Sequence, residues 1–434
     1  MAQWRTDSYE FKQPHNVHLY EMMMLADIYG NPINGSNFTG QAVDAFGRAR
    51  MSTPLTLFDS SHRYKDNGLW STSNTATTTY SFSANEGLIN LNLDTTANAE
   101  IIRETNKVFP YQPGKSLQIL NTFVFNPAKS NLRQRAGYFG KDNGIYLELD
   151  GTNLYLVERS LVTGSPTETR VSQTNWNCDN LLGNGPSRKT LDITKAQIMF
   201  IDIEWLGVGS VRCGFVIDGV FIQCHVFHHA NVLASTYITT ASLPLRIEIK
   251  NTNTTGSNSV FKQICSSVIS EGGYELRGAQ SSIGTPITTP KDMPTAGTFI
   301  PVVSLRLKSD RLDAIVILTA ISLLGLGNNT RIEWRVARGG TLTSPNWTSA
   351  GSDSAVEYDL SATGISGYSV LANGYLGVTN QATQSLDILK EALFKFQLTR
   401  NSLTSTPESI SIIATGASNG DDVLASMDWE EITR

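Results

Sequence analysis

Hydrophobic and polar residues alternate with a period of two along much of this chain. Gly144 to Asp150 alternates, as does Leu154 to Arg159, and Gly151-Thr152-Asn153 between them has the composition of a hairpin loop. Gln197 to Trp205, Val211 to Ile217, Val220 to Phe227 and Leu243 to Lys250 continue the series without a helical period between them. Short strands at this spacing predict an antiparallel sandwich rather than βαβ units. A second β-rich block starts at Phe299, with strands predicted over Val302 to Leu307, Ala314 to Ser322, Thr330 to Arg338, Phe394 to Thr399 and Ser409 to Thr415. One helix is predicted, Leu386 to Leu393, behind the cap-like Ser385. The apolar run Ala314 to Gly327 is interrupted by Thr319 and Ser322. It is shorter than the roughly 20 residues a membrane-crossing helix needs, so it reads as a buried strand.

The stretches around these blocks differ in kind. Residues 1–50 carry little periodicity; Tyr29-Gly30-Asn31-Pro32 and Asn34-Gly35-Ser36 are turn clusters, and Met22-Met23-Met24 is an adaptable apolar contact. Gly278 to Thr298 contains Pro286, Pro290 and Pro294 and almost no bulky side chains, the composition of a linker. Thr163 to Arg188, rich in Ser, Asn, Gly and Pro, reads as a long exposed loop. The expected fold class is therefore all-β: two antiparallel, jelly-roll-like β-sandwich domains preceded by an extended N-terminal arm. The expected boundaries are 1–50 for the arm, 51–276 for a concanavalin-like sandwich, 277–298 for the linker and 299–434 for the second sandwich.

Composition narrows the function. The 434 residues hold 34 basic and 39 acidic side chains, a net charge of −5 that leaves no basic excess for phosphate contacts. Nucleic acid is thus not an expected partner, and neither is a membrane. Met1 to Leu19 mixes Trp4, Arg5, Asp7, Glu10, Lys12 and His15 and has no apolar signal region, so assembly in a cytoplasm is expected. The four cysteines form no CxxC pair. Asp218-Gly219 marks a two-residue hairpin turn that pairs Ile217 with Val220 and, counting outward, Cys213 with Cys224 on the apolar face. A reducing compartment makes these two core thiols.

The stretch most suggestive of catalysis is Phe200-Ile201-Asp202-Ile203-Glu204-Trp205-Leu206-Gly207. It resembles the Glu-x-Asp-x-Glu strand of laminarinase-type glycoside hydrolases, which share a concanavalin-like jelly roll. Alternation places positions 200, 202 and 204 on one face, the way two carboxylates come to flank a sugar bond. The position of that family's nucleophile holds Phe200, so two-step displacement cannot run, and Asp202 and Glu204 are expected to face solvent or pair with arginine. His225, His228 and His229 form a cluster without a carboxylate at a helpful spacing, and His225 is expected opposite Arg212 in solvent. Neither a phosphate-cradling glycine loop nor a G-x-S-x-G occurs. The expectation is a protein without catalytic residues, cofactor or metal, and not an enzyme. Tyr146, Tyr155 and Trp176 are candidate glycan contacts, as aromatic rings that could stack on sugars.

Three longer stretches carry a family likeness. They are Val43-Asp44-Ala45-Phe46-Gly47-Arg48-Ala49-Arg50 running into Thr53-Pro54-Leu55-Thr56-Leu57-Phe58-Asp59; Arg133-Gln134-Arg135-Ala136-Gly137-Tyr138-Phe139 with the Asp142 to Gly151 segment; and Asp202 to Gly207 leading to Arg212 and the Gly214 to Gly219 segment. In that order the chain resembles a family of virion structural proteins of tailed bacteriophages, especially those infecting marine cyanobacteria, from about residue 40 to the end. Val302 to Leu307 and Glu357 to Thr363 add to the likeness. The resemblance implies membership of a virion assembled in the host cytoplasm. A tail, baseplate, neck or fibre part is favoured, with a capsid decoration protein or a host-glycan-binding adhesion module as alternatives. Expected partners are other copies of the chain, other virion proteins and, for the adhesion alternative, a host surface glycan. Met22, Met23, Met24, Phe46, Arg48 and Arg50 in the arm are the candidate inter-subunit contacts, unless that segment simply opens the first sandwich.

Overall fold

The computed structural model describes residues 53–326, 331–377 and 395–433, with the strand pieces Leu25–Ala26, Pro32–Ile33 and Gln384–Asp387. Met22, Met23, Met24, Phe46, Arg48 and Arg50 lie outside the described residues. The protein is all-β, and its strands pair antiparallel. No helix among the described residues is long and apolar enough to cross a membrane.

A seven-stranded sheet runs, in spatial order, Thr167–Ser172, Asn153–Ser160, Gly144–Asp150, Leu132–Phe139, Leu245–Asn251, Glu100–Thr105 and Trp70–Asn74. Facing it is an eight-stranded sheet ordered Val220–Phe227, Val211–Ile217, Gln197–Ile203, Leu117–Val124, Ser259–Ser270, Leu88–Leu93 and Thr79–Ser83, with Leu55–Ser60 added on Ser259–Ser270. The period-two pattern decides what lies between the two. Ile145, Leu147 and Leu149 of one sheet and Met199, Ile201 and Ile203 of the other share a single buried core. Each such side chain contributes roughly 1.5–3 kcal/mol over its exposed state.

The second block has its own core, built from Val303, Leu305, Trp334, Ile412, Met427 and Trp429 among others. One of its sheets is ordered Thr348–Ser349, Val356–Asp359, Ile300–Leu307, Ile410–Gly416, Arg331–Arg338 and Ser369–Gly377. The other is ordered Ala279–Gly284, Asp421–Thr433, Ile315–Leu326 and Gln384–Asp387, with Lys291–Met293 also on Asp421–Thr433. Gly374 is fixed by packing here, because a Cβ on it would sit 2.5 Å from the Trp334 indole.

Several expectations need correction. The presumed linker is not free: Ala279–Gly284 and Lys291–Met293 both pair with the last strand. Strand pairing needs backbone groups, not bulky side chains, so a Ser- and Gly-rich stretch is stranded when a long partner is beside it. Leu386 and Asp387, read as the start of a helix, end a strand paired with Ile321 and Ala320, and 388–394 lie outside the described residues. Within Phe394 to Thr399, Gln397 makes an isolated bridge to Ile317, not a strand. The stretch read as a long exposed loop contains the strand Thr167–Ser172 and the short turn of helix Gln173–Asn175.

The hairpin turn at Asp218-Gly219 forms as expected, with φ of 53° and 76°, the paired positive values of a tight hairpin turn. Ile217 faces Val220, but a bulge after Cys213 pairs Gly214 with Gln223 and Cys213 with His225. Cys224 is the extra residue of that bulge. Both thiols are free and buried in the core. Arg212 consequently faces Val226, not His225.

The two blocks meet through Arg400, which is 2% exposed. Its guanidinium donates to Glu104 Oε1 at 2.9 Å, to the Thr105 carbonyl at 2.7 Å and to Asp313 at 3.0 Å. Gln397 donates to the Val108 carbonyl at 2.8 Å, and Val108 packs with Ile315 and Ile317 in a small separate cluster.

Candidate functional site

The strand Gln197–Ile203 leads into a tight bend at Leu206 and Gly207, whose φ values are 36° and 82°. The bend is held by the Tyr111 hydroxyl, which donates to Glu204 Oε1 and accepts from the N–H groups of Trp205 and Leu206, each at 3.2 Å. One donor and two acceptors use the hydroxyl fully. Burial, and next the adjacent Glu204 carboxylate, push the Tyr111 hydroxyl far above its ordinary pKa. It is therefore a fixed hydrogen-bonding post, not a proton donor.

The bend sets Trp205 edge-on to Tyr111, with centroids 5.9 Å apart and planes at 90°, and the indole N–H donates to the Ile238 carbonyl. These two rings form one wall of a cleft of about 720 Å³. Tyr274, Ile432, Lys115, Glu275 and Arg277 line it as well. Ile432 belongs to the last strand of the second block, so the cleft lies at the junction of the two sandwiches. Gln112 bridges across the backbone of Glu275, donating to its carbonyl at 2.9 Å and accepting from its N–H at 3.2 Å. Trp205 is half-buried, while Glu275 and Arg277 are exposed. A ring wall beside planar polar and charged groups suits a ligand with one apolar and one hydroxylated face.

The carboxylates nearby are sealed. Asp202 is 1% and Glu204 0% exposed, with Arg212 3.9 Å from Asp202. Phe200 packs on Phe221 with ring centroids 5.3 Å apart. The strand end thus turns its carboxylates into the fold and its indole toward the cleft. Asp202 takes the arginine partner expected for it, and Glu204 accepts from the Tyr111 hydroxyl.

The candidate glycan contacts do not converge. Tyr146 is fully buried on the outer face of the seven-stranded sheet, its ring 4.4 Å from Phe139 and under the guanidiniums of Arg135 and Arg159. Its hydroxyl donates to Glu168 at 2.8 Å. Tyr155 is half-buried, with the Arg170 guanidinium 4.2 Å from its centroid. Trp176 is 5% exposed, lies in the main core beside Phe215 and donates to the Val171 carbonyl. Tyr146 and Trp176 were expected at the surface; the arginine layer covers the first and the inter-sheet core takes the second.

His225 is also buried, accepting at Nδ1 from the Asn177 N–H at 3.3 Å. Burial, with His228 adding to it, lowers its pKa to about 4. His229 stacks on Tyr237 at 3.8 Å, donates from Nδ1 to the Gly209 carbonyl at 2.6 Å and is hydrogen-bonded through Nε2 to Glu158 Oε2 at 2.7 Å. Among the described residues no group of three or more His, Cys, Asp or Glu side chains is arranged to hold a metal. The cleft residues Tyr111, Gln112 and Tyr274 escaped the sequence reading. Their signal is an aromatic set in a turn, Tyr111 before Pro113-Gly114 and Tyr274 after Gly272-Gly273.

Neither a protein-family model nor a curated protein matches the chain. Among solved structures it is similar to a protein of unknown function from Shewanella oneidensis, at 12% identity over 56% of this chain and 94% of that one, with a TM-score of 0.33. It is also similar to the carbohydrate recognition domain of Emp47p, at 11% identity over 50% and 94%, with a TM-score of 0.30. A third similar structure is the CBM2 module of the evolved Dit of Lactobacillus casei phage J-1, at 7% identity over 51% and 98%, with a TM-score of 0.32. Likenesses this distant bear on neither ligand nor activity.

Proposed function

We propose that this chain is a non-enzymatic structural component of a tailed-phage virion, of the tail, baseplate, neck or fibre kind, and that its junction cleft meets a host-surface glycan. The observation that carries the reading is the strand end from Asp202 to Trp205. It buries two carboxylates and offers an indole to the cleft, an arrangement for holding a sugar, not for cutting one. The order of the family-like stretches supports the virion role. So does the bond network around Arg400, which fastens one sandwich to the other as a rigid assembly part needs.

The test uses the full chain and polysaccharide extracted from the host envelope. Wild type binds, Trp205→Ala binds about tenfold more weakly, as expected for one lost stacking contact, and neither releases reducing ends. Reducing-end release that Glu204→Gln abolishes would make the chain a hydrolase. Equal binding by wild type and Trp205→Ala would remove the cleft from the glycan contact.

A further inference from the structure

Leu55–Ser60 and Trp70–Asn74 belong to opposite sheets of the first sandwich, and residues 61–69 connect them. Arg63, Tyr64 and Lys65 stand in solvent at the tip of this loop, with Tyr64 83% exposed and the Arg63 guanidinium 5.2 Å from its ring centroid. Behind the tip the chain is tied down. Asp66 accepts from the Arg103 guanidinium at 2.9 and 3.1 Å, one bond to each carboxylate oxygen, and Arg103 itself is fully buried. The Asn67 side chain donates to Ser60 Oγ at 2.6 Å and accepts from the Leu69 N–H at 3.0 Å. The Trp70 indole donates to the same Ser60 Oγ at 2.9 Å.

His62 departs from this pattern. It is 4% exposed, yet neither ring nitrogen makes a hydrogen bond among the described residues. Asp66 Oδ1 lies 3.8 Å from its Nδ1, but both Asp66 oxygens are already taken by Arg103. The turn packed against the His62 carbonyl at Gly87 carries Glu86, which Lys262 holds at 2.5 Å. A ring so placed has no group ready to receive a second N–H. Burial lowers the His62 pKa below its ordinary 6.5; Asp66 opposes that shift and Arg103 adds to it. Burial raises the Asp66 value, but the Arg103 bonds and charge outweigh it, so Asp66 is still ionised where an exposed histidine takes up its proton. The open loop therefore binds a proton that the closed one resists, and the closed form loses stability as pH falls from 6.5 toward the closed value.

We propose that the loop from Ser61 to Gly68 is an acid-released element, in which a proton on His62 detaches the loop from the sandwich and loosens the rigid Arg63-Tyr64-Lys65 tip. The opening is local, because Glu100–Thr105 keeps its place inside the seven-stranded sheet when Asp66 lets go of Arg103. Arg103 retains Gln263 at 2.8 Å and Thr72 at 2.7 Å as partners. The device is independent of any glycan at the junction cleft.

Limited trypsin digestion of the full chain tests this, read by mass spectrometry as cleavage after Arg63 and Lys65 relative to cleavage after exposed Arg188. The ratio cancels the protease's own pH response. From about pH 7.5 to about 5.5 it should rise in wild type, up to the roughly tenfold that one proton bound at the ordinary histidine value allows, and stay level in His62→Phe. Hydrogen exchange on wild type, corrected for its intrinsic pH dependence, gives a readout that does not require the variant to fold. Residues 61–69 should lose protection on acidification while Glu100–Thr105 keep theirs. A level cleavage ratio in wild type would overturn the proposal, and so would a ratio in His62→Phe that climbs as the wild type's does. Protection lost from Glu100–Thr105 in step with the loop would overturn it too, because the sandwich and not the loop would then be opening.

Discussion

Arg135 shows how single residues hold this protein together. It sits on the outer face of the seven-stranded sheet, 6% exposed, with Glu148, Glu168 and Glu248 at 2.6, 3.2 and 3.2 Å. Arg246 links Glu248 at 2.7 Å to Glu104 at 2.9 Å, and Glu104 passes the network on to Arg400. Burial raises the Glu248 pKa, but Arg246, Arg135 and Arg159 together outweigh it, so the net shift is below the ordinary 4.5. A carboxylate lowered in the folded state stabilises it above its unfolded value, and that contribution is lost as pH falls from about 4.5 through the folded value. His225, lowered from 6.5 to about 4, acts in a higher window: the unfolded chain takes up its proton first, so stability falls between these values. Urea titrations at stepped pH should therefore show stability declining from pH 6.5 downward and faster below 4.5. His225→Phe should flatten the upper part of the decline and Glu248→Gln the lower; unchanged profiles would count against both assignments.

At the scale of elements, Asn177 is the test of how an edge is closed. Its side chain replaces a missing strand for Val226, so Asn177→Ala should cost about 1–3 kcal/mol for two lost hydrogen bonds. The urea midpoint should fall accordingly and the Val226 amide should exchange faster; an unchanged amide rate would mean the loop backbone alone covers the edge. Elements were largely legible in the sequence wherever one face is apolar, as in Gly144–Asp150 and Val220–Phe227. Three features escaped that pattern. The bulge at Cys213 inserts a residue that counting outward from Asp218-Gly219 cannot detect. Ala279–Gly284 is a strand because Ser426 to Glu431, far along the chain, supplies its partner. Tyr146 lies on the polar face of its strand, and alternation alone cannot show that arginines from neighbouring strands roof that face. The cleft was not legible: Trp205 stood only inside the carboxylate-bearing stretch and not among the glycan candidates, and the other lining residues come from turns and from Ile432 of a distant strand, brought together by the fold.

At the scale of the whole molecule, Arg400 is the most heavily bonded of several ties between the two cores, beside the Gln397 bond to the Val108 carbonyl, the Ser402 bond to Glu104 and Ile432 packed against the first core. Removing one partner from a buried charge pair is costly, about 3–5 kcal/mol, because the remaining charge stays buried. Arg400→Met leaves Glu104 with Arg246 as its cation and frees the second block from the Thr105 carbonyl. Calorimetry should show one melting transition for wild type and two for Arg400→Met; a single transition in both would mean that the remaining ties, the Gln397 and Ser402 bonds and the apolar contact at Val108, Ile315 and Ile317, suffice to couple the blocks.

Cryo-electron microscopy of purified particles tests the proposed virion membership and the outward-turned junction cleft together. Copies of this chain are expected on the tail, baseplate, neck or fibre, with the cleft mouth at Trp205, Glu275 and Arg277 facing solvent and not a neighbouring subunit. Particles that lack the chain would overturn the proposed virion role.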